Sequence, residues 1–455
     1  MESAAPYAFP VSRLLLALLL VACGSGADDA PVDAGVTPDA PRPVDAAVAD
    51  AAPGDLADRL RAIPGMTVVE EAPAGGARVF SLSYEQPERH AAPDGAHFRQ
   101  RMRLLHVGED APMVLHATGY ALGGVRADEV TAVVGGNQLS LEHRFFGSSL
   151  ADPASWDALR VAEAAADWHR VVVALRPIYR GPWIGTGASK GGVASLFHRR
   201  FYPDDVTATV AFVAPLSVGA PDPRYPSFVA AMGGDEAAGC RARLRDFQRL
   251  VLSRRTAMTT AMMASGQAFT VLGLDKALED ATLELPFLFW QYTGAGLCSS
   301  IPDATASDQD VYLFFDDATI LALFGDGQIR ELAAFYHQAA VELGWPAHDE
   351  SHLADLLLYP SGDRAGAYVP WLSTAYDGGA AVRDLAAWIA AHGSRLLLVY
   401  GERDPWTAGA VDLGAATDSF RFLAPGKNHG GATLANLAAA DRAAAEAALR
   451  RWAGR

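Results

Sequence analysis

The sequence predicts an α/β protein: a mostly parallel sheet interrupted by a long helical insertion. Three observations carry that expectation. Short apolar or alternating runs, bounded by Gly, Pro and Asp, give way to strand–helix alternation before residue 215, and the alternation returns after residue 376. Between them, across 216–375, helical spacing dominates and strand signals are few. The stretch Gly185-Thr186-Gly187-Ala188-Ser189-Lys190-Gly191-Gly192 closes an apolar strand and opens a helix, so a serine stands on a sharp strand-to-helix turn.

The first residues read as an address. Arg13 precedes an apolar run at 14–22, which is too short to span a bilayer and has the length of a signal-peptide core. It ends in Leu20-Val21-Ala22-Cys23, which resembles the lipobox of bacterial lipoproteins, where the cysteine is acylated and becomes the mature N-terminus; a plain secretory signal cut nearby is the alternative. Residues 1–22 are thus expected to be a signal peptide, and the protein to be exported, either held at a membrane by lipid on Cys23 or secreted. Residues 23–55 are Ala, Pro, Asp and Val with almost no aromatic residue, a solvated tether that cannot bury enough apolar surface to offset ordering entropy.

What remains of the 455 residues is enough for one large or two modest domains, and half of the chain is apolar. A formal charge of −16 argues against nucleic acid as a partner and against adhesion of the folded part to acidic headgroups. Of three cysteines, Cys23 belongs to the leader. Cys240 and Cys298 are expected to pair in an oxidising compartment, constraining the unfolded chain by about 4 kcal/mol, or else to be two separate buried thiols.

The folded part opens with strands at 66–71, 79–84, 102–107, 113–118 and 139–145. A helical pattern follows at 156–175, then the strand at 183–186, the helix at 193–200 and a buried strand at 206–215. The insertion carries helical patterns such as 237–263 and 329–342. After it come a helix at 380–391, strands at 396–400 and 419–423, and a closing helix at 434–452. The expected division is a core in two parts, 56–215 and 376–455, with a helical cap at 216–375.

Gly187-Ala188-Ser189-Lys190-Gly191 is a G-x-S-x-G segment. Only glycine at the flanking positions lets the helix pack close to the strand, and a serine at the helix N-terminus meets unpaired backbone N–H groups and the positive end of the dipole. Asp404 lies in the loop after the 396–400 strand, within Gly401-Glu402-Arg403-Asp404-Pro405-Trp406. His429 lies in the loop after the next strand, within Gly426-Lys427-Asn428-His429-Gly430-Gly431. The chain order Ser189, Asp404, His429 is that of α/β-hydrolase triads. His429 is the expected base and later acid, and Asp404 the group that fixes its tautomer. The oxyanion hole is expected from the N–H of Lys190 and one from Gly119 or Tyr120, in the loop after the 113–118 strand.

Several separated motifs together resemble the secreted bacterial prolyl tri- and tetrapeptidyl aminopeptidases, serine peptidases with an α/β-hydrolase domain and a helical cap. They are Glu142-His143-Arg144-Phe145-Phe146-Gly147, the elbow with Ser189-Lys190-Gly191-Gly192, Arg199-Arg200-Phe201-Tyr202-Pro203-Asp204-Asp205-Val206, Phe289-Trp290-Gln291-Tyr292, and the loops of Asp404 and His429. The likeness runs from about residue 60 to the end. The prolyl carboxypeptidases and dipeptidyl peptidases share the Glu-His-Arg run but usually have an aromatic residue where this chain has Lys190. The resemblance implies release of short proline-ending peptides from the free N-terminus of a polypeptide.

Such an enzyme needs an acid for the substrate ammonium and an apolar slot for proline. Glu142 or Glu284 is expected to supply the first, and Phe289, Trp290 and Tyr292 the second, because aromatic faces pack flat on a pyrrolidine ring. Glu142 beside His143 and Arg144 reads equally as a buried ion pair, and the aromatic run as cap core. His348 and His352 stand at i and i+4 in His348-Asp349-Glu350-Ser351-His352, but the H-E-x-x-H order is absent. No metal and no cofactor is expected. An esterase, a prolyl carboxypeptidase-like enzyme and a non-catalytic surface lipoprotein remain as alternatives.

Overall fold

The computed structural model describes residues 54–455. The expected signal peptide, Cys23 and nearly all of the tether lie outside the described residues.

The described chain builds a sheet of β1 (Met66–Ala74), β2 (Ala77–Pro87), β3 (His97–His106), β4 (Met113–Ala117), β5 (Asn137–Leu141), β6 (Trp183–Ala188), β7 (Ala208–Phe212), β8 (Leu396–Gly401) and β9 (Phe420–Ala424). Their spatial order is β1-β2-β3-β5-β4-β6-β7-β8-β9. The first three strands are antiparallel to one another, and β3 is antiparallel to β5. From β5 to β9 every pairing is parallel. The sequence shows why the two halves differ. β2 and β3 alternate apolar and polar residues, whereas β8 is buried along its whole length, as a parallel strand covered on both faces must be.

The covering helices divide by the side-chain period of two. Leu396, Leu398 and Tyr400 pack with Leu196, Phe197, Leu385 and Ile389 on one face; Leu397 and Val399 pack with Val130, Ala445 and Leu449 on the other. Helices Lys190–Phe201 and Ala380–His392 thus lie on one side of the sheet, and Glu129–Val134 and Ala439–Trp452 on the other.

Between β7 and β8 the described residues are helical and build their own apolar centre, from Met232 to Val369, held in addition by a Cys240–Cys298 disulfide.

Several boundaries differ from the sequence reading. The 237–263 pattern is broken at Arg254 into Ala238–Ser253 and Arg255–Ala264. The 329–342 pattern becomes Asp326–Glu331, Ala333–Gln338 and a π turn, Ala339–Leu343. β5 stops at Leu141 because the next residues turn inward to make bonds, and Phe145 takes a φ of 69°. The helices expected from 156 and 434 begin at Val161 and Ala439, each after a single 3-10 turn. Helix Glu129–Val134 has no counterpart in the sequence reading; Asp128 caps it by accepting from the Thr131 N–H at 2.7 Å, and Gly135 ends it at φ 60°.

Candidate active site

Strand order fixes where the site lies. The chain passes from β4 to β5 on one side and then crosses back to β6 on the other. The crevice beyond the carboxyl ends of β4 and β6 is therefore a topological switch point, the preferred binding place in open α/β sheets. Ala117 pairs with Gly187, so the loops that follow these strands start side by side.

The elbow is as tight as the glycines demand. Ser189 has φ 53° and ψ −125°, a conformation that costs an L-residue strain and is held by its surroundings. A Cβ on Gly187 would lie 2.5 Å from the Gly191 carbonyl carbon, and one on Gly191 would lie 2.2 Å from Ala117 O. The Ser189 N–H donates to Phe212 O at 2.8 Å, tying the turn to β7.

Lys190 has a second function beyond its N–H. Its buried side chain donates from Nζ to Gly119 O at 2.7 Å, and Nζ stands 5.1 Å and 5.6 Å from the ring centres of Phe146 and Tyr120. That bond sets the orientation of the Gly119–Tyr120 peptide directly against the elbow. The Tyr120 N–H is turned toward Thr118 Oγ1 at 3.3 Å. Among the described residues, no protein acceptor takes the Gly119 N–H.

On the other side of the crevice, Gly401 pairs with Ala424, which brings the loops after β8 and β9 together. The Arg403 N–H donates to Lys427 O at 2.8 Å and locks them. Asp404 is fully buried: one oxygen accepts from the Trp406 N–H at 3.1 Å, and the other lies 2.7 Å from His429 Nδ1. His429 also donates its own N–H to Gln291 O at 3.3 Å, and Asn428 Nδ2 donates to Tyr292 O at 3.0 Å. Both acceptors belong to a π turn, Phe289–Thr293, that ends the cap helix Leu274–Leu288 just after Pro286. Ser189 and His429 line one cavity of about 530 Å³. No hydrogen bond joins their side chains here, a contact that tightens in such sites when substrate is bound.

The cavity runs between sheet and cap, with Tyr120, Phe146 and Trp406 at the sheet end and Phe335, Tyr336, Trp345 and Tyr368 toward the cap. Glu284 lies on its wall. The Tyr368 hydroxyl donates to Glu284 Oε1 at 3.1 Å and lies 3.3 Å from Asp363 Oδ1. Burial above all, and then the charge of Asp363, push the Glu284 carboxyl well above the ordinary carboxylate range. Asp280 stands behind it, ion-paired to Lys276 and raised to about 7 by burial first and the Asp363 charge second.

Three expected substrate contacts are corrected by the structure. Glu142 is fully buried beneath the Tyr120 loop, where it accepts from the Leu122 N–H at 2.9 Å and Ser149 Oγ at 2.8 Å; it shapes that loop and does not line the cavity of Ser189. Phe289 and Trp290 are likewise fully buried in the cap core, because the turn after Pro286 rotates them inward. Tyr292, from the same run, does reach the cavity. His348 and His352 do not share a helical face: His352 Nε2 bonds Gln248 Oε1 at 2.9 Å, while His348 faces Asp363. Asp363, Tyr368, Trp406 and Phe146 were not read as site residues; Tyr120 was expected only as an oxyanion-hole donor, and His348 was weighed only for metal together with His352.

A serine strained at the tip of β6 and a buried Asp–His pair on the loops of β8 and β9 define a serine hydrolase of the α/β-hydrolase fold. Comparison with known proteins narrows the class. The chain belongs to the PS-10 peptidase S37 family, which it matches over residues 49–455. It is 38% identical over 420 residues, 90% of this chain and 87% of the relative, to a prolyl tri/tetrapeptidyl aminopeptidase of Streptomyces mobaraensis. Among solved structures it is similar to a proline iminopeptidase of Mycobacterium smegmatis, with TM-score 0.42 and 15% identity over 82% of this chain and 98% of that one. It is also similar to a bromoperoxidase of Bacillus anthracis, with TM-score 0.32 and 13% identity over 82% of this chain and 100% of that one.

Proposed function

We propose that this chain is a serine exopeptidase that removes tripeptides or tetrapeptides ending in proline from the free N-terminus of polypeptides. One observation carries the reading: of the two carboxylates that line the cavity of Ser189 and His429, Glu331 is exposed, whereas Glu284 is held by the hydroxyl of a buried cap tyrosine, Tyr368. A peptide whose first residue is charged can place its ammonium there and its scissile carbonyl at the serine. Cap residues line the cavity beyond the nucleophile, which suits a short segment between the two groups.

In this mechanism His429 takes the Ser189 proton as the hydroxyl attacks the carbonyl after proline, and returns it to the departing amine. Asp404 holds Nδ1 protonated and stabilises the imidazolium. The N–H of Lys190 and one from the Gly119–Tyr120 turn receive the oxyanion, with Gly119 favoured because Tyr120 is already directed to Thr118. Tyr292, Tyr120 and Phe146, which line the same cavity as the nucleophile, supply flat faces for the pyrrolidine ring. Water then repeats the sequence on the acyl-enzyme.

The apolar run ending at Cys23 and the Cys240–Cys298 bond support export, with the chain held by lipid on Cys23. Metabolic labelling with a fatty acid, lost on Cys23→Ser, is the expected result; equal labelling of both forms would remove the anchor.

The principal test is hydrolysis by the full chain of a tripeptide anilide ending in proline, in free-amine and N-acetylated forms, with Ser189→Ala as control. Cleavage of the free-amine form alone, abolished in the control, is expected. If neither form is cut while a fluorophosphonate still labels Ser189, the peptidase reading fails and an esterase takes its place.

A further inference from the structure

Three side chains of the cap, far apart in sequence, converge on the cavity wall. One ligand atom each from Glu284, His348 and Asp363 lies within 4.8 Å of the other two. Asp363 is only 8% exposed, yet its Oδ2 makes no hydrogen bond; nor does His348 Nε2. The two atoms face each other at 3.1 Å, off the line that a hydrogen bond requires. The contact is an ion pair without a hydrogen bond, so each buried atom still lacks a directed partner.

The surrounding contacts leave those atoms available. Trp345 Nε1 donates to Asp363 Oδ1 at 3.3 Å and the Tyr368 hydroxyl stands 3.3 Å from the same oxygen, so Oδ2 is the oxygen turned to His348. Tyr368 also orients Glu284. Outer partners of this kind fix the ligands of metal ions. Lys276 is engaged by Asp280 and the Gly362 carbonyl, and does not enter the cluster.

We propose that Glu284, His348 and Asp363 form a site for a divalent transition ion of the zinc type, which competes with the substrate ammonium. Two carboxylates balance a charge of two, and one imidazole with two carboxylate oxygens is a donor set that suits zinc rather than magnesium or calcium, which take oxygen alone. Zinc bonds of about 2.0–2.1 Å in a tetrahedron set ligand atoms roughly 3.3 Å apart. His348 and Asp363 already have that spacing, and Glu284 has to draw in by a rotamer adjustment. Glu284 and His348 both line the cavity, so the fourth position opens to it. The competition rests on the reading of Glu284 as the ammonium acceptor; the ion site does not.

The test uses the full chain, without a histidine tag and freed of metal by a chelator. Zinc chloride is titrated by calorimetry, with magnesium and calcium as controls. One zinc ion per chain with Kd below about 10 μM is expected, weakened at least about tenfold by either His348→Gln or Asp363→Asn. Melting curves of the variants establish that they are folded. Zinc is further expected to raise KM for the free-amine tripeptide anilide without lowering kcat, and to leave fluorophosphonate labelling of Ser189 unchanged. Absence of stoichiometric binding, or binding equal in wild type and both folded variants, overturns the site. Binding that is lost in the variants while KM does not respond to zinc upholds the site and overturns Glu284 as the ammonium acceptor.

Discussion

The two ends of the cavity are built on opposite terms. At the sheet end, each group that would do chemistry is fastened by a hydrogen bond: Asp404 by the Trp406 N–H and the His429 ring, His429 by the Gln291 carbonyl, Ser189 by the Phe212 carbonyl, the Gly119 peptide by the Lys190 ammonium. At the cap end, Asp363, His348 and Asp280 each keep a buried polar atom without a hydrogen bond, and Glu284 is held by one hydroxyl in surroundings that resist its charge. The difference teaches a division of labour. Groups that must act on a developing charge are preorganised, whereas groups that receive a cation are left under-satisfied until it arrives.

The largest test of this contrast is at the fastened end. Asp404→Asn keeps the shape but offers His429 the wrong tautomer, and kcat is expected to fall on the order of 10⁴-fold with KM little changed. A loss in KM instead would mean that the pair holds substrate. At the receiving end, Glu284→Gln should raise KM for the free-amine tripeptide by about 10²-fold, the value of a buried charged hydrogen bond, while altering kcat less. The same variant should narrow the gap between free-amine and acetylated substrates. If it lowers kcat alone, the two ends do not divide as described.

A smaller effect sharpens the cost of the acid cluster. Asp280 is raised to about 7, above its unfolded value near 3.9. Between these values the folded chain binds more protons than the unfolded one, so the group lowers stability progressively as pH rises from about 4 to about 7. Asp280→Asn removes the penalty. Its melting temperature relative to wild type should therefore increase from pH 5 to pH 8; a constant difference would show that the charge is already compensated.

How much of this was legible in the sequence follows the same division. Ser189, Asp404 and His429 could be found because each lies on the turn or loop after a strand with a glycine within three residues, signals confined to a few neighbouring residues. The parallel register then brings them together without further information. Glu284 was visible only as one of two candidate acids, His348 only through its spacing from His352, and Asp363 and Tyr368 not at all, since no period or spacing links residues that meet only when the cap folds. Phe289 and Trp290 were misread for a related reason: an aromatic run says that something is buried, but the turn after Pro286 decides which ring faces the cavity, and that choice went to Tyr292. Glu142 was one of two acids that the charge alone could not separate; its partners Leu122 and Ser149 lie on other segments.

The π turn at Phe289–Thr293 carries a consequence for how such an enzyme can diversify. Its carbonyls hold the loop of the histidine, so the cap is a strut of the base as well as a roof over the substrate. A chimaera that received the cap of another hydrolase would keep its nucleophile, which the sheet alone assembles, but would lose the footing of its proton carrier. Lineages of this fold would then exchange side chains along the cap wall more readily than they exchange the cap.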